Sequence, residues 1–128
     1  QARMKLLIDV DSVRFADEEM LRRLKTSNLI TESDMSSPYQ RISNVTLYRK
    51  YVERFLNNCN EVDSKKWLMV RQTPTEGMGM PIEMYFYIKE WDFVRFEELS
   101  AEIYEYCLAS AVEFDLKIYQ SITKSNLK

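Results

Sequence analysis

The residues of this sequence whose type and spacing first suggest acid–base chemistry are two pairs of adjacent glutamates, Glu18–Glu19 and Glu97–Glu98. Such catalysis needs one carboxyl group to give a proton and another to accept one at the same substrate. Neighbouring residues in a helix project about 100° apart, so each pair diverges if its segment is helical. We expect all four carboxylates to be solvated, and we predict no catalytic residues among them.

Histidine, the commonest general base and metal ligand, is absent from the sequence. The two cysteines, Cys59 and Cys107, therefore lack the partner that usually activates a nucleophilic thiol. Their separation matches no metal-ligand spacing, and a small disulfide-stabilised fold would normally contain more cysteines. We expect both to be reduced thiols in the core, and the sequence predicts that the protein is not an enzyme.

Two further groups of residues could in principle bind a ligand. Gly77 and Gly79 fall between two predicted strands, whereas a phosphate-binding glycine loop lies between a strand and a helix. Asp9, Asp11 and Ser12 could begin a metal site at a strand end, but no further ligand follows at loop spacing. We expect these residues to form turns and caps, and we predict no metal and no cofactor.

Length and composition favour one folded domain that spans residues 1–128. The 128 residues are 45% hydrophobic and 30% charged, which suits a single core with a solvated surface. With 18 basic and 20 acidic residues the net charge is −2, so a nucleic-acid partner is not expected. The longest apolar run, 84–88, is far shorter than the roughly 18 residues that span a bilayer. Because the chain begins at Gln1, we expect it to be a fragment of a longer protein.

Hydrophobic periodicity predicts four strands and three helices. The polar segment 27–42, which contains Ser37 and Pro38, is predicted to be a surface connection. The predicted strands cover residues 5–11, 67–72, 81–89 and 116–122, and the predicted helices cover 15–25, the stretch from a cap at Ser43 or Asn44 to Cys59, and 92 to about 113.

The order of these elements predicts an α+β protein with a ferredoxin-like split β-α-β fold. Its four-stranded antiparallel sheet would carry helices on one face only. The other face would display Leu7, Tyr85 and Tyr87, together with Trp67 or Met69 depending on register. This face is more apolar than a solvated sheet face usually is. We therefore predict a subunit interface there, formed by Leu7, Met69, Tyr85 and Tyr87.

Segments along nearly the whole chain also carry a family resemblance. They are 3–11 (RMKLLIDVD), 13–15 (VRF), 42–45 (ISNV) leading to Tyr51, 68–75 (LMVRQTPT), 79–85 (GMPIEMY), 104–106 (YEY) and 114–120 (FDLKIYQ). In this order they resemble the carboxy-terminal cytoplasmic domain of bacterial small-conductance-type mechanosensitive ion channels, most closely the miniconductance, YbdG-like branch. Where members of that family often have a longer charged helical insertion, this chain has the short polar segment 27–42.

The resemblance implies a domain at the cytoplasmic end of a channel in the bacterial inner membrane. Such channels are homo-oligomers, here expected to be heptamers, that open under membrane tension during hypoosmotic shock and release solutes. The transmembrane helices would precede this domain. Its partners would be the other subunits of the ring.

A regulatory small-molecule-binding domain of the same fold is the alternative interpretation. Domains of that kind usually bind their ligand at a glycine-containing loop between a strand and a helix. Here residues 11–14 (DSVR) and 89–92 (KEWD) occupy the two such loops, and neither contains glycine. The sequence therefore favours a structural role over ligand sensing.

Overall fold

The structure is a computed structural model, and it describes residues 1–75, 77 and 79–120. Strands and helices of this part of the chain form one α+β unit. In chain order they are β1 (Ala2–Ile8), α1 (Glu18–Thr26), α2 (Asn44–Asn58), β2 (Met69–Gln72), β3 (Met80–Phe86) and α3 (Phe93–Ser110). Single turns of 3-10 helix occur at Val10–Ser12, Ser33–Met35 and Ala111–Phe114.

The sheet is antiparallel, and β3 is its central strand. Tyr85 of β3 lies opposite Arg3 of β1 on one side and opposite Met69 of β2 on the other. Because side chains alternate along a strand, this register sends the odd-numbered residues of β1 and β3 to one face and the even-numbered residues to the other. The even-numbered face is the buried one.

The prediction of a four-stranded sheet is wrong, and the ferredoxin-like split β-α-β fold fails with it. The described residues form three strands in the order β1–β3–β2. Of the predicted fourth strand, Ile118 makes one isolated antiparallel bridge with Ile8, flanked by two backbone hydrogen bonds of 2.8 Å. Asp115, in the left-handed region at φ 58°, brings this segment to β1 only where β1 ends and turns into 3-10 helix. Positions 121 and 122 of that prediction lie outside the described residues.

The core lies between the even-numbered face of the sheet and the apolar stripe of α2. Tyr48 of α2 is fully buried and donates its hydroxyl hydrogen to the carbonyl oxygen of Cys107 in α3. Cys107 is a buried free thiol, and burial raises its pKa to about 12. The side chains that are at most 1% exposed include Leu6, Ile8, Ile82, Met84 and Phe86 of the sheet and Leu47, Tyr48, Val52 and Leu56 of α2.

Side-chain caps set the starts of all three helices. Asp17, Ser43 and Asp92 each accept a hydrogen bond from a backbone amide three residues ahead. These bonds satisfy amide groups that have no partner within the helix. Of the two caps considered for α2, Ser43 is therefore the cap, and Asn44 is free for another role. The first helix begins at Glu18, three residues later than predicted, because Asp17 caps it.

Asn44 is fully buried and joins three separate parts of the chain. Its Oδ1 accepts a hydrogen bond of 3.0 Å from the backbone amide of Arg14. Its Nδ2 donates to the carbonyl oxygens of Ser12 at 3.0 Å and Phe114 at 2.9 Å. The segment after β1, the start of α2 and the segment after α3 therefore meet at one amide side chain.

The predicted surface connection, 27–42, is held against α2 by an ion pair between the buried carboxylate of Asp34 and the half-buried side chain of Arg54. Asp34 is 7% exposed, and its carboxylate accepts bonds of 3.0 and 2.7 Å from the two Nη atoms of Arg54. The amide of Thr31 donates to the same carboxylate at 2.9 Å. Burial alone would raise the pKa of Asp34, but the bonds from Arg54 and Thr31 outweigh it and lower the pKa.

Replacing Asn44 with alanine should leave one amide and two carbonyl groups without their partner. We expect Asn44→Ala to lower the free energy of unfolding by about 3 kcal/mol, measured by urea denaturation. Asn57→Ala is the matched control, because Asn57 is exposed in the last turn of the same helix; its effect should stay within about 0.5 kcal/mol. A loss at Asn44 no greater than at Asn57 would contradict this assignment.

The Asp34–Arg54 pair should make stability depend on pH. Because the pKa of Asp34 in the folded protein lies below its usual 3.8, its contribution is complete above pH 3.8 and is lost as pH falls through the folded pKa. Asp34→Asn should cost about 2 kcal/mol at neutral pH, and this difference should shrink below pH 3.8. Urea denaturation at several pH values measures it, with the exposed Glu53→Gln as control. A difference that stayed constant with pH would argue against the ion pair.

Candidate functional site

The candidate site is the face of the sheet that the helices leave uncovered. We call it the open face, and its side chains belong to alternate residues of the three strands. It comprises Arg3, Lys5 and Leu7 of β1, Met69 and Arg71 of β2, and Pro81, Glu83 and Tyr85 of β3. Three cations and one carboxylate therefore share a face whose middle is aromatic.

Tyr85 lies at the centre of the open face and is only 6% exposed, although none of the helices in the described residues covers it. The guanidinium carbons of Arg3 and Arg71 lie 5.0 and 5.4 Å from the centroid of its ring. Both arginines also donate to the Tyr85 hydroxyl oxygen, at 3.3 and 3.2 Å. Stacked guanidinium groups thus take the place of a covering helix and shield the ring from water.

Glu83 neutralises part of this positive charge. Its Oε1 accepts hydrogen bonds from Arg71 Nε at 2.9 Å and from the Tyr85 hydroxyl at 3.1 Å, and Lys5 Nζ lies 3.8 Å from its Oε2. Burial would raise the pKa of Glu83, but the bonds from Arg71 and Tyr85 and the charge of Lys5 lower it. The hydrogen bond to Glu83 is also the main cause of the raised pKa of Arg71. The open face keeps a net positive charge.

Beside Tyr85 the open face contains an aromatic-walled depression. Trp67, which is 56% exposed, packs against the Tyr85 ring with 5.7 Å between centroids. A cavity of about 350 Å³ is lined by these two rings together with Gln1, Arg3, Met69 and Arg71. An exposed tryptophan beside two arginines is typical of residues that contribute strongly to protein–protein interfaces.

The structure brings only part of the predicted interface together. Met69 and Tyr85 are direct cross-strand neighbours on the open face. Leu7 lies on the same face opposite Pro81, four residues along β1 from Arg3. Tyr87 lies beyond the end of β3, where Lys66 Nζ approaches its ring centroid at 5.2 Å and its carbonyl oxygen accepts from the Asp63 amide.

The predicted interface did not include the polar members of the open face. Arg3 lies before the predicted start of the first strand at residue 5, whereas β1 begins at Ala2. Arg71 and Glu83 were within predicted strands, and their opposite charges were the available signal that they face each other. The register of β2 and β3 places Arg71 directly opposite Glu83, and the sequence pattern did not contain this register.

The residues first considered for chemistry remain apart from the open face. Glu97 and Glu98 are exposed on α3, and Glu98 pairs with Arg95 at 3.3 Å. Asp9 accepts from the amide of Asp11 at 3.0 Å and caps the 3-10 turn, which is the predicted capping role. Across the described residues, no group of three or more acidic or cysteine side chains is arranged to hold a metal ion.

Close packing and backbone conformation both require glycine at position 79. Its φ is +85°, and a Cβ atom there would lie 2.8 Å from the Cβ of Tyr119 and 3.1 Å from the carbonyl oxygen of Ile8. Both the backbone conformation and the close approach exclude a larger residue. Gly79 lies in the connection between β2 and β3, between the two strands as predicted.

Comparison with models of known protein families gave no match. None of the helices in the described residues is long and apolar enough to cross a membrane.

Proposed function

We propose that this chain is the cytoplasmic assembly domain of a homo-oligomeric mechanosensitive channel that releases solutes under hypoosmotic membrane tension. The channel would lie in a bacterial inner membrane, with this domain on the cytoplasmic side and the membrane helices in a preceding part of the protein. We expect a heptamer. The proposal rests on the ordered resemblance of segments along nearly the whole chain and on the character of the open face.

The observation that carries the proposed assembly role is the construction of the open face. Tryptophan, tyrosine and arginine are the residues that contribute most often to protein–protein interfaces. Here Arg3 and Arg71 enclose Tyr85, and Trp67 remains 56% exposed next to them. Such a surface is ordered before a partner arrives, so less conformational entropy is lost on binding.

Ring symmetry requires the open face to meet a different patch on the next subunit. The solvent side of α3 offers a patch of opposite charge, because Glu98, Glu102 and Glu105 are exposed at positions i, i+4 and i+7. This spacing places them along one side of the helix. We propose that the net positive open face of one subunit packs against this acidic side of its neighbour, so that the domains close into a cage below the pore.

The upstream coding region tests the channel proposal first. We expect it to encode several apolar spans of about 20 residues followed by a β-rich segment. Hydropathy computed over the sequenced region provides the measurement. A soluble catalytic or DNA-binding domain in that position would contradict the channel and would favour the regulatory-domain alternative.

Trp67→Ser in the complete gene product tests the open face separately. Removing an exposed interface tryptophan should weaken subunit association about tenfold or more, seen as a smaller particle mass by light scattering in detergent. Trp91→Ser is the matched control, since Trp91 is 97% exposed and lies outside the open face. An unchanged mass for Trp67→Ser would exclude this face as the contact while leaving the channel proposal standing.

A further inference from the structure

A second surface feature, unrelated to the open face, lies where segment 27–42 meets the start of α2. It is a cavity of about 380 Å³, which we call the basic cavity, at the lower end of the roughly 300–1,000 Å³ typical of small-ligand sites. Arg41, Arg49 and Lys50 contribute three cations to its lining. The hydroxyl groups of Ser36, Ser37, Ser43 and Thr46 also line it.

No carboxylate lines the basic cavity among the described residues. Within that part of the chain none of its three cations lies within 4.0 Å of an acidic oxygen, although Arg14, Arg23, Lys25 and Arg54 all do. Lys50 Nζ instead donates to the backbone carbonyl oxygens of Asp34 and Ser36, at 3.0 and 3.3 Å. The acidic side chains that share a lining with Lys50, Asp34 and Glu53, belong to a neighbouring depression. An anion bound in the basic cavity would reduce the mutual repulsion of its three cations.

Arg41 is oriented for binding by an aromatic wall. Its guanidinium carbon lies 4.0 Å from the centroid of the Phe15 ring. A guanidinium stacked on a ring keeps its N–H groups in its own plane, free to donate to a planar or tetrahedral oxyanion. Phe15 therefore fixes the arginine without occupying its hydrogen bonds.

The frame of the basic cavity is anchored by the backbone. Phe15 forms an isolated bridge with Ser43, and the Ala16 amide donates to the carbonyl oxygen of Ile42 at 2.9 Å. Ser43 Oγ already accepts a hydrogen bond from the Thr46 amide at 3.1 Å, so the N-terminus of α2 is capped. The charged side chains, and not the helix terminus, would therefore hold a ligand.

We propose that the basic cavity binds a phosphate group. Arginine matches the oxygen geometry of phosphate, and Lys50 and the hydroxyl groups of Ser36 and Thr46 would add donors. The hydroxyl groups of Ser37 and Ser43 already donate within the protein, to the Arg41 carbonyl oxygen and to Thr46 Oγ1. The cavity has room for a phosphate with a small group attached. The phosphate can belong to a soluble compound or to a lipid headgroup, and both sources present the same oxygens to Arg41 and Arg49.

Titration of the 128-residue chain with inorganic phosphate tests the proposal. Calorimetry or NMR shift changes at constant ionic strength, balanced with chloride, should show saturable binding. Arg41→Gln/Arg49→Gln should weaken it about tenfold or more, because each arginine loses charged hydrogen bonds. Arg22→Gln/Lys65→Gln removes the same two charges at exposed positions outside the cavity and should change affinity less than about twofold. Thermal melts of both double variants establish that they fold.

Vesicles separate the two sources of phosphate. Phosphatidylcholine vesicles containing phosphatidic acid are compared with vesicles of equal surface charge containing phosphatidylserine. Selective binding to phosphatidic acid that the Arg41/Arg49 variant loses supports a headgroup site, whereas saturable binding of inorganic phosphate alone supports a soluble ligand. Absence of binding to either probe, or equal weakening in both double variants, would overturn the proposal.

Discussion

The buried amide of Asn44 is the interaction on which much of this structure depends. One side chain satisfies the amide of Arg14 and the carbonyl groups of Ser12 and Phe114, all within 3.0 Å. A buried backbone group without a hydrogen-bond partner lowers the stability of the folded state. Asn44 therefore allows these three segments to pack closely without leaving such groups unpaired. Because Asn44 is the first residue of α2, its hydrogen bonds join the start of α2 to the segment that follows β1. Ser43, which lines the basic cavity, directly precedes Asn44, and the last described segment follows Phe114, which Asn44 binds.

Stacking of cations on aromatic rings recurs at the surface and serves two different ends. On the open face, Arg3 and Arg71 cover Tyr85, and Glu83 compensates part of their charge. In the basic cavity, Arg41 lies on Phe15, and none of the described residues that line the cavity is acidic. In the basic cavity the ring leaves the N–H groups of Arg41 free, whereas on the open face Arg3 and Arg71 donate to the Tyr85 hydroxyl and Arg71 also donates to Glu83. The presence or absence of a neighbouring carboxylate then decides whether the surface suits a protein face or a small anion.

The ion pair between Asp34 and Arg54 also explains how segment 27–42 packs against α2 without a long helix of its own. Its apolar anchors are Ile30 and Ile42, and between them Asp34 is fixed by Arg54 of α2. A paired and hydrogen-bonded carboxylate is tolerated in the interior, whereas a single one is not. The connection is therefore part of the packed structure, and its polar composition reflects this contact as well as exposure to water.

The sequence alone determined those features that depend on neighbouring residues. Period and capping chemistry act within a few residues, so the three helices, a cap at Ser43 or Asn44 and the alternation that divides β3 into two faces were all predictable. The channel resemblance and the interface at Leu7, Met69, Tyr85 and Tyr87 remain predictions.

Only the tertiary structure decided which distant groups meet. Arg54 reaches Asp34 across 20 positions, and Asn44 reaches Phe114 across 70. Alternation predicted a fourth strand in the segment after α3. This segment makes a single bridge, because after the left-handed residue Asp115 it meets β1 only at the last residue of that strand, Ile8. Alternation records which face of a strand is buried, but pairing depends on where the rest of the chain places that strand, and this is a property of the whole fold.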